Sequence, residues 1–304
     1  MIRSSFLQSR GIRMTRPDYN RMYEVMKRTL APFLGTLTFS VMISEIIPFV
    51  FASVFSAVSI GVTNYAASYV LLCVSIVLIM FVSVSLVVCT INQASKITLG
   101  KGSRISSFFE PFFIKRKNLF SASAILTLMQ VVSFFIVFFI IMFNRDFFAP
   151  ALKIFEKEIV SVEALQNDLA KIMPYYFFAI ALFSVIGCAL SIPFLFVWNV
   201  METEKNISFS GALKKSASIL VLNYFHYVGF NFYVVIKNLM VIAVLAGINL
   251  FVSRVSFLAF FSLVTGFLIL LQQYTVISKI IDCIPVYYYS YMSVNGLLNS
   301  SEKV

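Results

Sequence analysis

The chain has 304 residues, of which 60% are apolar and only 12% are charged, and its mean hydropathy is +0.92. Soluble domains carry about 25% charged residues, so this composition excludes an ordinary soluble protein and indicates a polytopic membrane protein. A net charge of +11 would suggest nucleic-acid binding in a soluble protein. Here the bases collect in particular loops, as the positive-inside rule describes, and we expect no nucleic-acid partner.

Residues 1–32 form a basic segment whose first seventeen residues contain no acid. Its richness in Ser and Arg resembles a mitochondrial presequence, and Met14 is an alternative start. We favour a cytoplasmic tail that sets the orientation of the protein. From Asp18 to Pro32, apolar residues recur on one helical face and basic residues on the other. This pattern predicts a helix in the membrane interface with its bases toward anionic head groups.

Six hydrophobic runs follow, each about 25 residues and therefore roughly 37 Å long as a helix, which is enough to span a bilayer with some tilt. The loop 61–64 has no Lys or Arg, whereas 93–118 has six and 201–226 has three. This asymmetry predicts that both termini and these two basic loops lie inside. The predicted spans are 33–60, 65–92, 119–143, 174–200, 227–252 and 255–280.

The predicted fold is therefore an all-α bundle of six transmembrane helices with interfacial elbow helices on the cytoplasmic side. We divide the chain into a basic tail with its interfacial helix (1–32), the transmembrane domain (33–292) and a short cytoplasmic tail (293–304). Within the second part, segment 145–173 has apolar residues at helical spacing between Pro150 and Pro174. It predicts an external amphipathic helix, either a lid on the bundle or a connector.

The segments 18–33, 103–123 and 206–227 share one design, which suggests three copies of an elbow helix followed by two spans. Each has a polar start, a short apolar face, bases and an aromatic passage into the next span. These elbows and the stretch Ser208–Ser216 resemble a group of bacterial six-helix inner-membrane proteins that includes the membrane domains of some glycerophosphodiester phosphodiesterases. The resemblance implies architecture and no activity.

Two charged residues lie near the centres of predicted spans, Glu45 in the first and Lys237 in the fifth. Such residues are costly in a bilayer and normally face the bundle interior with a partner. Because these two spans run in the same direction, we expect the charges at similar depth and able to pair. Together with Asn231 and Asn238 they form a candidate midplane polar site. The alternative is a structural pair supported by hydrogen bonds between helices.

The sequence offers little material for enzymatic chemistry. It contains no Gly-rich phosphate loop, HExxH or GxSxG motif, and its one histidine, His226, lies in an aromatic stretch typical of a membrane interface. The tyrosines of 287–291 and the pair Trp198 and Asn199 fit the same interfacial belt. The four cysteines show no metal-ligand or redox spacing. We expect neither an enzyme nor a bound cofactor or metal.

We therefore predict a non-enzymatic integral membrane protein that transports or binds a small solute or lipid in a midplane cavity. The alternative is a structural or assembly subunit of a larger membrane-protein complex. The bacterial cytoplasmic (inner) membrane is the expected location, with the mitochondrial inner membrane as the alternative. Expected partners are membrane lipids and protein subunits within the membrane. The candidate contacts to anionic lipids are Arg21, Lys27, Arg28, Lys115, Arg116, Lys117, Lys214 and Lys215.

Overall fold

A computed structural model describes residues 16–60, 65–144, 162–204, 206–253 and 259–297, and every regular element in these ranges is helical. Six helices among them are long and apolar enough to cross a membrane, which confirms the predicted all-α membrane fold. In chain order the elements are α1 (Tyr19–Leu30), a 3₁₀ turn (Ala31–Phe33), α2 (Leu34–Ile60), α3 (Tyr65–Thr98), α4 (Ile105–Phe113), α5 (Arg116–Phe143), α6 (Val162–Ser191), a second 3₁₀ turn (Ile192–Phe194), α7 (Val197–Thr203), α8 (Phe209–Ser253) and α9 (Ala259–Val294).

The first helix is set by its cap and its apolar spacing. The side chain of Asp18 accepts a hydrogen bond of 3.2 Å from the backbone N–H of Arg21, as an N-cap does. Met22, Met26 and Leu30 recur every four residues and are at most 2% exposed. Protein covers this apolar face, because α1 packs on α3, α8 and α9.

A short helix also precedes each of the other two pairs of long helices. The nine-residue α4 leads into α5 and α6. The first part of α8 leads to Asn223, whose backbone (φ −120°, ψ 17°) interrupts the helix before the long apolar remainder. These positions match the three predicted elbows. The placement of the elbows against a membrane surface stays a prediction.

Two prolines, Pro174 and Pro285, lie inside helices and not at helix ends. Pro174 lies within α6, and Pro285 lies within α9, which continues to Val294. A proline removes one backbone hydrogen bond and kinks a helix, but packed neighbours allow membrane helices to continue through it. The backbone of 162–173 therefore belongs to α6. Residues 145–161 of the predicted external helix lie outside the described residues.

The core is concentrated at the end of the bundle where α1, α4 and α7 lie, around α3 and α9. Trp198, Asn199 and Tyr287–Tyr289 of the predicted interfacial belt are at most 1% exposed and are packed inside the protein at this end. Their depth in a membrane stays a prediction. The other end is loosely covered: Phe49 of α2 is 73% exposed and Phe143 of α5 is 87% exposed. Such apolar surfaces suit contact with lipid chains.

Candidate functional site

Glu45 and Lys237 do not form an ion pair in the structure. Both side chains are exposed at the protein surface and neither faces the bundle interior. The ammonium of Lys237 lies 4.3 Å from the ring centroid of Tyr23 and 4.4 Å from that of Tyr233. Glu45 instead lies beside the hydroxyl of Tyr274 on α9. Aromatic contacts therefore take the place of the predicted salt bridge at Lys237.

The two charges also differ in depth along α9. Asn238, the neighbour of Lys237, accepts a 2.6 Å hydrogen bond from the ammonium of Lys279. Lys279 is five residues beyond Tyr274, the contact of Glu45, which corresponds to about 7.5 Å along the helix axis. Asn231 donates to the carbonyl of Tyr227 in its own helix at 2.9 Å. The four predicted residues thus form no common polar site.

The predicted lipid contacts separate into two groups. Six of these eight bases are exposed, whereas the two others are half-buried and bound to carboxylates of the protein. Lys115 pairs with Glu202, and Lys215 pairs with Glu204. The first pair joins the turn between α4 and α5 to α7, and the second joins the end of α7 to α8. The exposed bases are Arg21, Lys27, Arg28, Arg116, Lys117 and Lys214.

A groove of about 1170 Å³ opens at this same end, between Phe33, the end of α3 and the short helix α4. Its lining combines three bases with one acid, several serine hydroxyls and an apolar wall. We call it the α3–α4 groove. Its lining residues are Phe33, Lys96, Lys101, Gly102, Ser103, Arg104, Ser106, Ser107, Phe109, Glu110, Phe113 and Ile114.

The turn from α3 to α4 shapes this groove. Gly100 and Gly102 have φ angles of 67° and 68°, a left-handed conformation that side chains other than glycine rarely adopt. Two buried amides of α3 then hold the beginning of α4. Gln93 donates to the carbonyl of Arg104 at 3.3 Å, and Asn92 donates to the carbonyl of Ser107 at 3.3 Å. The shape of the groove is therefore fixed by the turn and by hydrogen bonds between α3 and the start of α4.

The α3–α4 groove has more bases than acids in its lining, so its charge favours an anionic ligand. The ammonium of Lys96 pairs with the carboxylate of Glu110 across the groove, and Glu110 also lies 3.9 Å from the ammonium of Lys115. Lys101 and Arg104 are exposed, and neither has an ion pair within the described ranges. The groove thus offers two bases to a negatively charged ligand.

Sequence reasoning missed both this groove and a buried acid, Asp282. It used Lys96, Lys101 and Arg104 only to orient the loops, although their proximity to Phe109 and Phe113 was a usable signal. It ended the sixth span at residue 280, and so placed Asp282 beyond the membrane segment. The apolar run continues past this acid to Tyr291, so a longer window would have included it.

No protein-family model, no curated protein and no solved structure matches this chain. The resemblance to six-helix bacterial inner-membrane proteins therefore stays a prediction, and the described residues alone carry the functional argument.

Proposed function

We propose that this integral membrane protein is non-enzymatic and binds an anionic phospholipid, whose head group occupies the α3–α4 groove. The observation that carries the proposal is one groove at the end of an apolar span that combines three features. These are two bases with no ion pair among the described residues, several hydroxyl groups and exposed apolar side chains. We further propose a bacterial cytoplasmic membrane, whose inner leaflet would present such lipids to this end of the bundle.

The polar part of the groove suits a phosphate. The guanidinium of Arg104 can donate two parallel hydrogen bonds to phosphate oxygens, and Lys101 adds a compact positive charge. The hydroxyls of Ser103 and Ser106 line the same space as further donors. Bases near an anionic membrane surface contribute about 1 kcal/mol each, so the two together are sufficient for selectivity over neutral lipids.

The apolar part suits the chains of the same lipid. Phe113 is 70% exposed and Ile114 is 75% exposed, and both lie on the groove wall beside Phe109. The short helix α4 carries these large apolar groups and is preceded by the bases Lys101 and Arg104. Apolar groups next to bases are typical of segments at the head-group boundary. This proposal moves the predicted binding site from the midplane to the end of the bundle.

Lipid titration of the full-length protein in neutral-lipid nanodiscs tests the proposal. We expect phosphatidylglycerol to bind more tightly than phosphatidylcholine, as counted by native mass spectrometry. Replacing both Lys101 and Arg104 with alanine removes about 2 kcal/mol and should weaken phosphatidylglycerol binding about 30-fold. The matched control replaces Arg116 and Lys117, which are exposed bases outside the groove.

Two results would contradict the proposal that the α3–α4 groove binds an anionic phospholipid. An equal loss in both double variants would mean that surface charge in general attracts the lipid. Retention of a stoichiometric protein partner, together with no preference for phosphatidylglycerol, would favour the alternative of a subunit in a membrane complex. The exposed apolar end of the bundle would then be a partner surface.

A further inference from the structure

The α3–α4 groove holds an anion of its own at one of its three bases. The carboxylate of Glu110, on α4, pairs with the ammonium of Lys96, on α3, and both side chains line the groove. Each side chain is 23% exposed, so the ion pair is partly shielded from water. A carboxylate and a phosphate bind an ammonium in the same way, through oxygen atoms that accept its hydrogen bonds. Glu110 therefore fills a position that suits the phosphate of a ligand.

A second base lies close to the same carboxylate. Oε1 of Glu110 is 3.9 Å from the ammonium of Lys115, a base that does not line the groove. This distance is at the limit of an ion pair, whereas Oε2 of Glu110 accepts a hydrogen bond directly from Lys96. A rotation of the Glu110 side chain toward Lys115 would therefore exchange one ammonium for the other. The carboxylate would stay paired after leaving Lys96.

Lys115 connects this ion pair with the core of the protein. Its ammonium pairs with the carboxylate of Glu202 on α7 and lies 5.9 Å from the ring centroid of Trp198, which is 1% exposed. Lys96, Glu110, Lys115 and Glu202 thus form a chain of alternating charges that leads from the groove to α7. Partly buried charges are screened by salt less than exposed charges are. An anion that binds at Lys96 therefore acts on Glu110, the next charge in the chain.

We propose that Glu110 determines the affinity of the α3–α4 groove for anionic head groups by competing with them for Lys96. A phosphate that reaches Lys96 displaces the Glu110 carboxylate, which then pairs with Lys115. Lys96 thereby becomes a third base for the ligand, beside Lys101 and Arg104. This inference rests on the proposed function, because the ligand is the same anionic phospholipid. It adds an internal competitor within the groove and a base outside the groove that receives this competitor.

The charges decide the direction of the effect on lipid affinity. A phosphate and a carboxylate around one ammonium repel each other, and the repulsion is stronger where water is partly excluded. Neutralising Glu110 removes this repulsion and frees Lys96, so the groove should bind anionic lipid more tightly. Removing Lys115 leaves the displaced carboxylate without its second base, so binding should weaken. A purely structural role of Glu110 in holding α4 predicts the opposite result, a weaker binding after its neutralisation.

The test measures phosphatidylglycerol binding to the full-length protein in neutral-lipid nanodiscs by native mass spectrometry. Glu110→Gln keeps the shape of the side chain and should tighten binding about 5-fold. The matched control is Glu204→Gln, which neutralises the carboxylate paired with Lys215 outside the groove and should change the affinity much less. Lys115→Met should weaken binding several-fold, and more than Lys215→Met does. In a protein that already carries Glu110→Gln, Lys115→Met should have little effect, because no displaced carboxylate then needs this base.

The outcomes separate this competition from the proposed function. If the wild type prefers phosphatidylglycerol over phosphatidylcholine but Glu110→Gln binds it no more tightly, the competition is refuted and the proposed function stands. If only Glu110→Gln shows the preference, the competition is supported and the proposed function of the wild type is wrong. No preference in either protein refutes both. An equal gain in Glu204→Gln, or an equal effect of Lys115→Met with and without Glu110→Gln, would also overturn the competition. If Glu110→Gln does not fold, an affinity in Lys115→Met no lower than in Lys215→Met would refute it.

Discussion

The contact between Tyr19 and Gly229 offers a sharp test of how α1 is attached to the bundle. The hydroxyl of Tyr19 donates to the carbonyl of His226 at 2.9 Å, and the two rings lie 4.6 Å apart. Gly229 leaves the space that this hydroxyl occupies, so a Cβ atom there would collide with it. At Gly247, in the same helix, no side chain or other helix of the described residues lies within 4 Å of the corresponding position. The two glycines therefore form a matched pair.

Replacing each of these two glycines with alanine should change the free energy of unfolding in opposite directions. Alanine is favoured over glycine in a helix by about 1 kcal/mol, so Gly247→Ala should stabilise the protein by up to that amount. At Gly229 the collision costs about 1–3 kcal/mol, and the loss of the Tyr19 hydrogen bond adds about 1 kcal/mol. After subtracting the helix preference, Gly229→Ala should destabilise the protein by about 1–3 kcal/mol.

Equilibrium unfolding in mixed micelles measures these differences. Tyr19→Phe removes the oxygen that the new methyl group would meet, so the double variant with Gly229→Ala should be more stable than the sum of the single effects predicts. We expect a coupling free energy of about 1 kcal/mol or more. The reasoning is refuted if Gly229→Ala is as stable as Gly247→Ala, or if the two changes at Tyr19 and Gly229 are additive.

The remaining predictions concern burial, the charged residues and orientation. Phe230→Ala should lower the free energy of unfolding by about 3–5 kcal/mol, because this side chain is 0% exposed. Phe225→Ala in the same helix should lower it by under about 1 kcal/mol, because Phe225 is 87% exposed. Unfolding in micelles compares the two variants. The changes in unfolding free energy caused by Glu45→Gln and Lys237→Met should add within about 0.5 kcal/mol in a double-mutant cycle. A larger coupling free energy would indicate that the two charges do form an ion pair. Ser103→Cys should react with a membrane-impermeant maleimide only after cells are opened; labelling of intact cells would reverse the predicted topology.

The fold class could be predicted from composition, and the six long helices of the described residues from the six hydrophobic runs, because a bilayer demands long apolar segments with satisfied backbone groups. The short helix α1 could also be predicted, since Asp18 and the apolar spacing of Met22 and Met26 are local signals. The ends of the helices were harder to predict from the sequence. Pro285 is a stop signal in an isolated helix, but its neighbours in the bundle carry α9 through it.

The places of the charged residues were decided by tertiary structure. Hydropathy located Glu45 and Lys237 within their spans but carried no information on which face of each helix would meet its neighbours. Packing turned both outward and buried Asp282, a residue that lies just beyond the sixth predicted span. The groove likewise required the turn at Gly102 to bring Phe33 near Arg104. Sequence by itself determined that the described part of the chain has six helices long and apolar enough to cross a membrane. Only the packing of α3, α4, α7 and α9 decided where its polar chemistry lies, because burial depends on contacts between segments distant in sequence.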